Sequence, residues 1–334
     1  MATEDDNRFL DRLNSGDTIF CAEGYLLELE RRGYLQAGPL VPEVVLDNPD
    51  VLKQLHREYL RAGTDVIEAF TYYANRDKLK TIGREGDLEK MNIQALRIAK
   101  EVADEGNLLF AGNICNTWAY DPDNKEESSK IVRDMYVEQV RWAKEAGVDY
   151  IIAETISHLG EALIALDVVA EFELPCVVTL AIISGETKTS DGYDIVEACK
   201  TLCSKGADVV GLNCEVGPDA MIPLLTQLVD ELDCPVAALP APYHTTVEDS
   251  MRNIPDYPID LDLHLCSRRE MADFAAQAQK IGVQYIGVCC GAGPHHIRAM
   301  AEALGRKPPA SKYSPEPAKQ GTLRSQQSKK QDPA

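Results

Sequence analysis

No apolar run in this sequence is long enough to cross a bilayer, which argues against a helical membrane span. Basic residues are scarce beside acids. Lys and Arg number 34 against 54 Asp and Glu, a formal charge of −20, and such a surface repels both nucleic acid and anionic membrane. Neither is expected as a partner. The start, Met1-Ala2-Thr3-Glu4-Asp5-Asp6, lacks the basic-then-apolar order of a secretory signal, so a cytoplasmic protein is expected. Ten cysteines spread over 334 residues have neither the density nor the short chain of a disulfide scaffold. What is abundant is core material. Hydrophobic residues make up 45 %, and the length suits one large α/β barrel or two ordinary domains.

Eight short segments rich in Val, Ile, Thr, Ala or aromatics read as strands: 18–24, 65–73, 108–115, 149–155, 175–182, 208–214, 234–242 and 283–291. Amphipathic helical spacing fills the gaps, at 51–60, 88–103, 131–146, 160–171, 195–204, 220–232, 269–281 and 295–304. Strand then helix, repeated eight times, predicts a (β/α)8 TIM barrel over residues 1–305, with a doubly wound open sheet as the alternative. The stretch 243–266, with Pro255 and Pro258, interrupts the seventh unit as a long loop. From 306 to 334 the chain turns Pro-, Ser-, Gln- and Lys-rich and reads as a disordered tail.

Barrel enzymes place their chemistry at the carboxyl ends of the strands. Those ends read Glu23-Gly24, Tyr72-Tyr73, Glu154, Asn213-Cys214, Tyr243-His244 and Cys289-Cys290. Cys21, Cys176, Cys199, Cys203 and Cys234 sit in apolar surroundings and are expected as small buried hydrophobes. Cys289 and Cys290 are adjacent, which strains a mutual disulfide, so a shared metal is the better reading. Cys214, two strands away, completes a candidate set. Consecutive strand residues point to opposite faces, so sharing one ion needs a bend, which Gly291 and Gly293-Pro294 permit. Three thiolates leave the fourth tetrahedral position open, as in catalytic zinc sites. Three buried, inert cysteines are the plain alternative. His295-His296 reads as a helix start rather than a ligand pair, and His244 as a loop residue.

Gly211-Leu212-Asn213-Cys214 and Gly287-Val288-Cys289-Cys290-Gly291 resemble the two zinc motifs of the homocysteine S-methyltransferase family. The likeness runs from about residue 11 to 305. The stretches 54–58, 61–63, 77–79, 102–106 and 295–299 resemble its betaine-using branch. The resemblance implies Zn2+ on Cys214, Cys289 and Cys290, with homocysteine and a methyl donor as small-molecule substrates. It further implies that Glu23 and Glu154 hold the homocysteine ammonium and that backbone amides around Gly24 and Tyr25 take its carboxylate. Tyr72 and Tyr73, with Tyr120, would face an onium donor.

Departures from that branch bear on the donor. Leu40 and Thr155 stand where it has aromatics, and Ala22-Glu23-Gly24 carries its acid one position displaced. Its long dimerisation arm is reduced here to the tail, leaving a homo-oligomer unsupported. Betaine is the favoured donor; S-methylmethionine or another sulfonium is the alternative, as is another thiol or selenol acceptor. A catalytically silent zinc-binding barrel serving as scaffold or regulator is the reading from a different class.

Overall fold

The computed structural model describes residues 7–183, 185–255, 257–259 and 261–316. Eight parallel strands close in sequence order: β1 (Ile19–Ala22), β2 (Val66–Glu68), β3 (Leu109–Cys115), β4 (Tyr150–Ile156), β5 (Cys176–Leu180), β6 (Val209–Asn213), β7 (Val236–Leu239) and β8 (Tyr285–Val288). Closure is made by β1 on β8, with Cys21 opposite Gly287 and Ala22 opposite Val288. The predicted (β/α)8 barrel is therefore observed. All eight predicted helices are present, as Pro49–Ala62, Leu88–Gly106, Lys125–Ala146, Leu159–Glu171, Ile195–Ser204, Pro218–Glu231, Arg268–Ile281 and Pro294–Ala303. Local chemistry starts them where they start. Pro49 opens the first, and Ser267 with Glu270 forms a capping box on Arg268–Ile281. No helix among the described residues is long and apolar enough to cross a membrane.

Every strand is buried along its whole length, as parallel sheets covered by helices require. Within the barrel, Ile19, Cys21, Val66, Leu109, Ala111, Tyr150, Ile152, Val177, Val209 and Tyr285 pack into one apolar cluster. Because side chains alternate along a strand, this inward set can be extended upward two residues at a time. It then reads Glu23, Glu68, Asn113, Glu154, Asn213 and Cys289. The barrel is apolar at its floor and polar at its mouth. A further helix, Arg8–Asn14, closes the floor. Asn7 caps it by accepting from the amides of Phe9 and Leu10, and Phe9 stacks on Tyr150 with ring centroids 3.8 Å apart.

Several strands are shorter than expected. Pairing in β2 stops at Glu68, and the chain turns through a Thr71 N–H to Ala69 carbonyl bond before Tyr73 adopts φ 58°. Short helices at Tyr25–Arg31, Val44–Asp47 and Arg76–Lys80 carry the loops above the barrel and escape a period-based reading because they span two turns or fewer. The loop 243–266 is largely irregular, with 3-10 turns at Met251–Asn253 and Leu261–His264.

Two cysteine expectations change. Cys21, Cys176 and Cys199 are buried thiols, but Cys203 and Cys234 are only half-buried and joined in a disulfide, Cα atoms 6.0 Å apart. The end of helix Ile195–Ser204 and the turn into β7 meet at the bottom rim, which brings the two together. The stretch 306–316, expected as free tail, packs against that same rim. Arg306 donates to the Thr18 carbonyl at 2.7 Å and pairs with Asp65 at 2.7 Å, and Pro309–Tyr313 forms a 3-10 turn. Residues 317–334 of the expected disordered tail lie outside the described residues.

Candidate metal centre and substrate cavity

Cys214 follows the last residue of β6, and Cys289 and Cys290 follow β8. Their sulfurs lie within 4.8 Å of one another, all buried. The bend predicted at the Cys289-Cys290 pair is present, with Gly291 at φ +98°. On the opposite side, Cys214 and Glu215 both take left-handed φ, 56° and 54°. Consecutive non-glycine residues in that region store strain, which surrounding contacts must hold. Arg31 holds part of the mouth. It donates to the Gly291 carbonyl at 2.8 Å and to the Tyr243 hydroxyl at 3.0 Å, pinning the turn after Cys290.

The thiols fit a zinc ion. Tetrahedral zinc with bonds of ~2.3 Å demands sulfurs ~3.8 Å apart. The Cys289 and Cys290 sulfurs are 3.8 Å apart. Hydrogen bonds from the Cys214 and Cys289 thiols pull Cys290 below the usual thiol range, while burial pushes Cys289 up. Neither His295 nor His296 approaches the thiols as a ligand. His296 instead links the Cys266 carbonyl at 2.9 Å and the Gly293 amide at 3.2 Å.

Beside the thiols lies a cluster of acids that no Lys or Arg among the described residues pairs with. Glu23, Glu154 and Cys289 offer ligand atoms within 4.8 Å of one another, and Glu68 lies close to Glu23. Glu154 accepts from Asn113 at 2.6 Å and from Asn213 at 3.1 Å. Asn213 also accepts from the Thr155 amide at 2.9 Å and reaches the Cys289 sulfur at 3.7 Å, so one amide ties the acid cluster to the thiols. Neither oxygen of Glu23 meets an amide or hydroxyl donor; its carboxyl faces that of Glu154, close enough to share a proton. Burial raises Glu23, Glu68 and Glu154 above the ordinary carboxyl range, with the neighbouring acids adding to the rise on Glu23 and Glu68. Such a cluster calls for a proton or a positively charged ligand. Gly24 caps the short helix Tyr25–Arg31 without a side chain, and a Cβ there would collide with the Ala292 carbonyl. The Tyr25 hydroxyl meets His56 at 3.1 Å, so its ring serves packing.

A cavity of about 390 Å3 opens over Cys214 and Cys290. Tyr72, Tyr73 and Leu40 line it, as the sequence suggests. Two expected donor-side positions do not. Thr155 is buried and accepts from Asn213 at 2.8 Å, and Tyr120 packs on His158 with centroids 5.3 Å apart. In their place stand residues the sequence reading missed: Lys78, Trp118, Glu215 and Arg252. Arg252 pairs with Glu215 at 2.5 Å and places its guanidinium 5.1 Å from the Trp118 ring centre. Burial, then the charge of Cys214, push Glu215 up to about 7. Glu68 and Asn113 were legible in principle, since each lies two residues beyond an inward apolar position. Arg252 and Trp118 come from irregular loops and carry no such periodic mark.

The profile of the homocysteine S-methyltransferase family matches residues 24–304. The S-methylmethionine–homocysteine S-methyltransferase BHMT2 of Pongo abelii is 35 % identical over 315 residues, covering 90 % of this chain and 84 % of that protein. Betaine–homocysteine S-methyltransferase 1 of Mus musculus is 34 % identical over 317 residues, covering 90 % and 77 %. Among solved structures, the metallated form of the Escherichia coli homocysteine methyltransferase MmuM superposes with a TM-score of 0.70 at 20 % identity. It covers 88 % of this chain and 98 % of that one, a likeness of fold.

Proposed function

From the premise that this chain belongs to the homocysteine S-methyltransferase family, we propose zinc-dependent methyl transfer from an onium donor, glycine betaine first, to the thiol of homocysteine. One observation carries the reading. Three buried thiols within 4.8 Å of one another, two of them at the zinc spacing of 3.8 Å, adjoin both a cluster of buried acids and a cavity, so acceptor and donor have separate berths around one reacting point. Cys214, Cys289 and Cys290 hold the metal. Bound zinc supplies Lewis acidity that removes the proton of the substrate thiol and leaves a nucleophilic sulfur at neutral pH.

The chain's own residues do the rest. Glu23 and Glu154 receive the substrate ammonium, which relieves the repulsion among the buried acids. Asn213 holds Glu154 in line with Cys289. Amides at Gly24 and Tyr25 receive the carboxylate, where glycine permits close approach. Tyr72 and Tyr73 bound the donor side. In the transfer the substrate sulfur forms a bond to the methyl carbon while the carbon–onium bond breaks, its electron pair returning to the leaving nitrogen or sulfur. The thiol proton passes to solvent. Methionine and a demethylated donor result, with no change of oxidation state that needs a further reactant.

A sulfonium such as S-methylmethionine or dimethylsulfoniopropionate is the second donor reading. The observation favouring it is that Tyr73 and Trp118 already face Lys78 and Arg252, and Leu40 offers no ring. That leaves Tyr72 and Tyr257 as the cavity rings not already facing a cation of the chain. The relatives divide the same way, one named for S-methylmethionine and one for betaine. The test is a donor panel with homocysteine, read as methionine formed, on zinc-loaded and chelator-stripped protein. Turnover by loaded protein alone supports the proposal; equal turnover after complete metal removal, or none with any donor, overturns it.

A further inference from the structure

Lys78 is an ammonium in a chain crowded with acids, yet none of the described carboxylates or carbonyls meets its Nζ. Acids outnumber bases 54 to 34, and the neighbouring cation of the cavity, Arg252, has its acid in Glu215. The Lys78 Nζ instead stands 4.3 Å from the centre of the Tyr73 ring and 5.6 Å from that of Trp118. Its backbone is fixed, because the Asn75 side chain accepts from the Lys78 amide at 3.0 Å to start the helix Arg76–Lys80. The two rings are fixed as well, the Trp118 indole donating to the Tyr73 hydroxyl at 2.7 Å. A half-buried cation held over two tied aromatic faces is placed rather than loose.

The same cavity is electrically two-sided. Cys214 and Cys290 line its floor, and the wall carries Lys78 beside the Arg252–Glu215 pair, with Lys78 and Arg252 against the same Trp118 ring; Lys78 has no anionic partner among the described residues. Burial, with the nearby charge of Arg252 adding to it, depresses the Lys78 ammonium below its ordinary range, and no carboxylate among the described residues offsets the shift. A ligand with a cation toward the thiols and an anion toward the wall would satisfy both sides.

We propose that Lys78 is the specificity-determining anchor for a carboxylate on the methyl donor. The assignment rests on the onium-transfer reading above and deepens it. Lys78 receives the anionic end while the onium methyl faces the thiols, so the enzyme selects donors that carry a carboxylate over equally methylating donors that do not. Tyr73 and Trp118 hold the ammonium at that place and shield it from water, which strengthens the pairing.

The test compares glycine betaine with its methyl ester, and dimethylsulfoniopropionate with its methyl ester. Each is measured on the parent, Lys78→Met and Lys78→Arg, all zinc-loaded and saturated with homocysteine. The readouts are kcat/KM for methionine formed and, independently, Kd by calorimetry. A charge-assisted contact predicts that the parent prefers each acid over its ester by about ten- to a hundredfold. Lys78→Met should collapse that ratio through KM, and Lys78→Arg should largely keep it. A ratio unchanged in Lys78→Met overturns the assignment even if methionine forms readily. Should no donor yield methionine, the methyl-transfer reading falls, and the ratio of Kd values still decides Lys78 for or against.

Discussion

Replacing Glu23 by Gln should stabilise the free protein and at the same time weaken its grip on homocysteine. Glu23 is buried, its oxygens meet no amide or hydroxyl donor, and its nearest neighbours are the Glu154 carboxyl, with which it can share a proton, and Glu68. Gln keeps the shape, removes the repelled charge and brings an N–H2 group toward Glu154. Satisfying one buried orphan in this way is worth about 1–3 kcal/mol. At about 2 °C per kcal/mol for a chain of this size, Tm should rise by about 2–6 °C at pH 7. The pH dependence has a definite sign. An unfolded Glu releases its proton near pH ~4.3. The folded Glu23 releases it higher, so the parent loses stability as pH rises from that point through the raised folded value. The variant lacks this loss. Its advantage should vanish near pH 4 and grow toward neutrality. Binding moves the opposite way. Losing a charge-assisted contact to the ammonium should weaken homocysteine about 10- to 100-fold. Thermal melts from pH 4 to 8 and homocysteine calorimetry decide both halves. A variant that melts below the parent at pH 7, or binds homocysteine as tightly, would refute the claim that this acid is held among other acids for a cationic ligand.

Glu154→Gln should also weaken homocysteine about 10- to 100-fold with zinc content unchanged, but without the gain in Tm, because Asn113 and Asn213 both donate to the native carboxylate. Unaltered affinity in calorimetry would remove Glu154 from the ammonium site. Cys214→Ala, Cys289→Ala and Cys290→Ala should each lose metal and turnover together while circular dichroism keeps the barrel signature. Stoichiometric zinc retained by any one of them would strike that sulfur from the ligand set. Leu40→Trp adds a ring to the cavity and should lower the betaine KM by about 2- to 30-fold relative to a sulfonium, since one cation–π contact is worth about 0.5–2 kcal/mol. Thr155→Tyr should do the reverse, displacing the contact to Asn213 and weakening homocysteine; improved betaine use by that single variant would contradict the geometry.

The barrel was legible because two periodicities alternate along the chain, and a strand-and-helix rhythm of this length has few other solutions. The thiols were legible for the same reason, as reactive residues beside bland aliphatic strands. The same rule, carried two residues further along β2 and β3, would have named Glu68 and Asn113 as inward neighbours of Glu23 and Glu154. The limits have equally physical causes. Strand ends were drawn too long at β2, β7 and β8, since apolar composition continues past the last ladder bond into turns that cover the core. Thr155 looked like a donor-side position because of its place after Glu154. Its left-handed φ of 56° directs it to Asn213, and backbone sign is invisible in composition. Glu215 and Arg252 pair across 37 positions through an irregular loop, a contact no local pattern encodes.

This division explains why the acceptor half of the site reads clearly and the donor half does not. Homocysteine would be held by residues on or beside strands: Glu23 after β1, Glu154 in β4, Asn213 in β6 and the thiols after β6 and β8. Their relative positions follow from barrel closure, so any one of them constrains the others. The donor wall is assembled from the loops after β1, β2, β3, β6 and β7, which supply Leu40, Lys78, Trp118, Glu215 and Arg252. Loop residues can change singly, but these are coupled by charge. Arg252 without Glu215 would leave a buried cation, and Glu215 without Arg252 a buried anion beside Cys214, each costing about 3–5 kcal/mol. Such a pair is stable only when both members are present. Lys78 is the exception, a cation that no carboxylate among the described residues partners. A cavity whose other described charges are either paired or placed for substrate leaves one ammonium to be completed from outside, and under the proposed role of Lys78 that asymmetry would give the donor wall a chemical preference beyond what its aromatic rings supply.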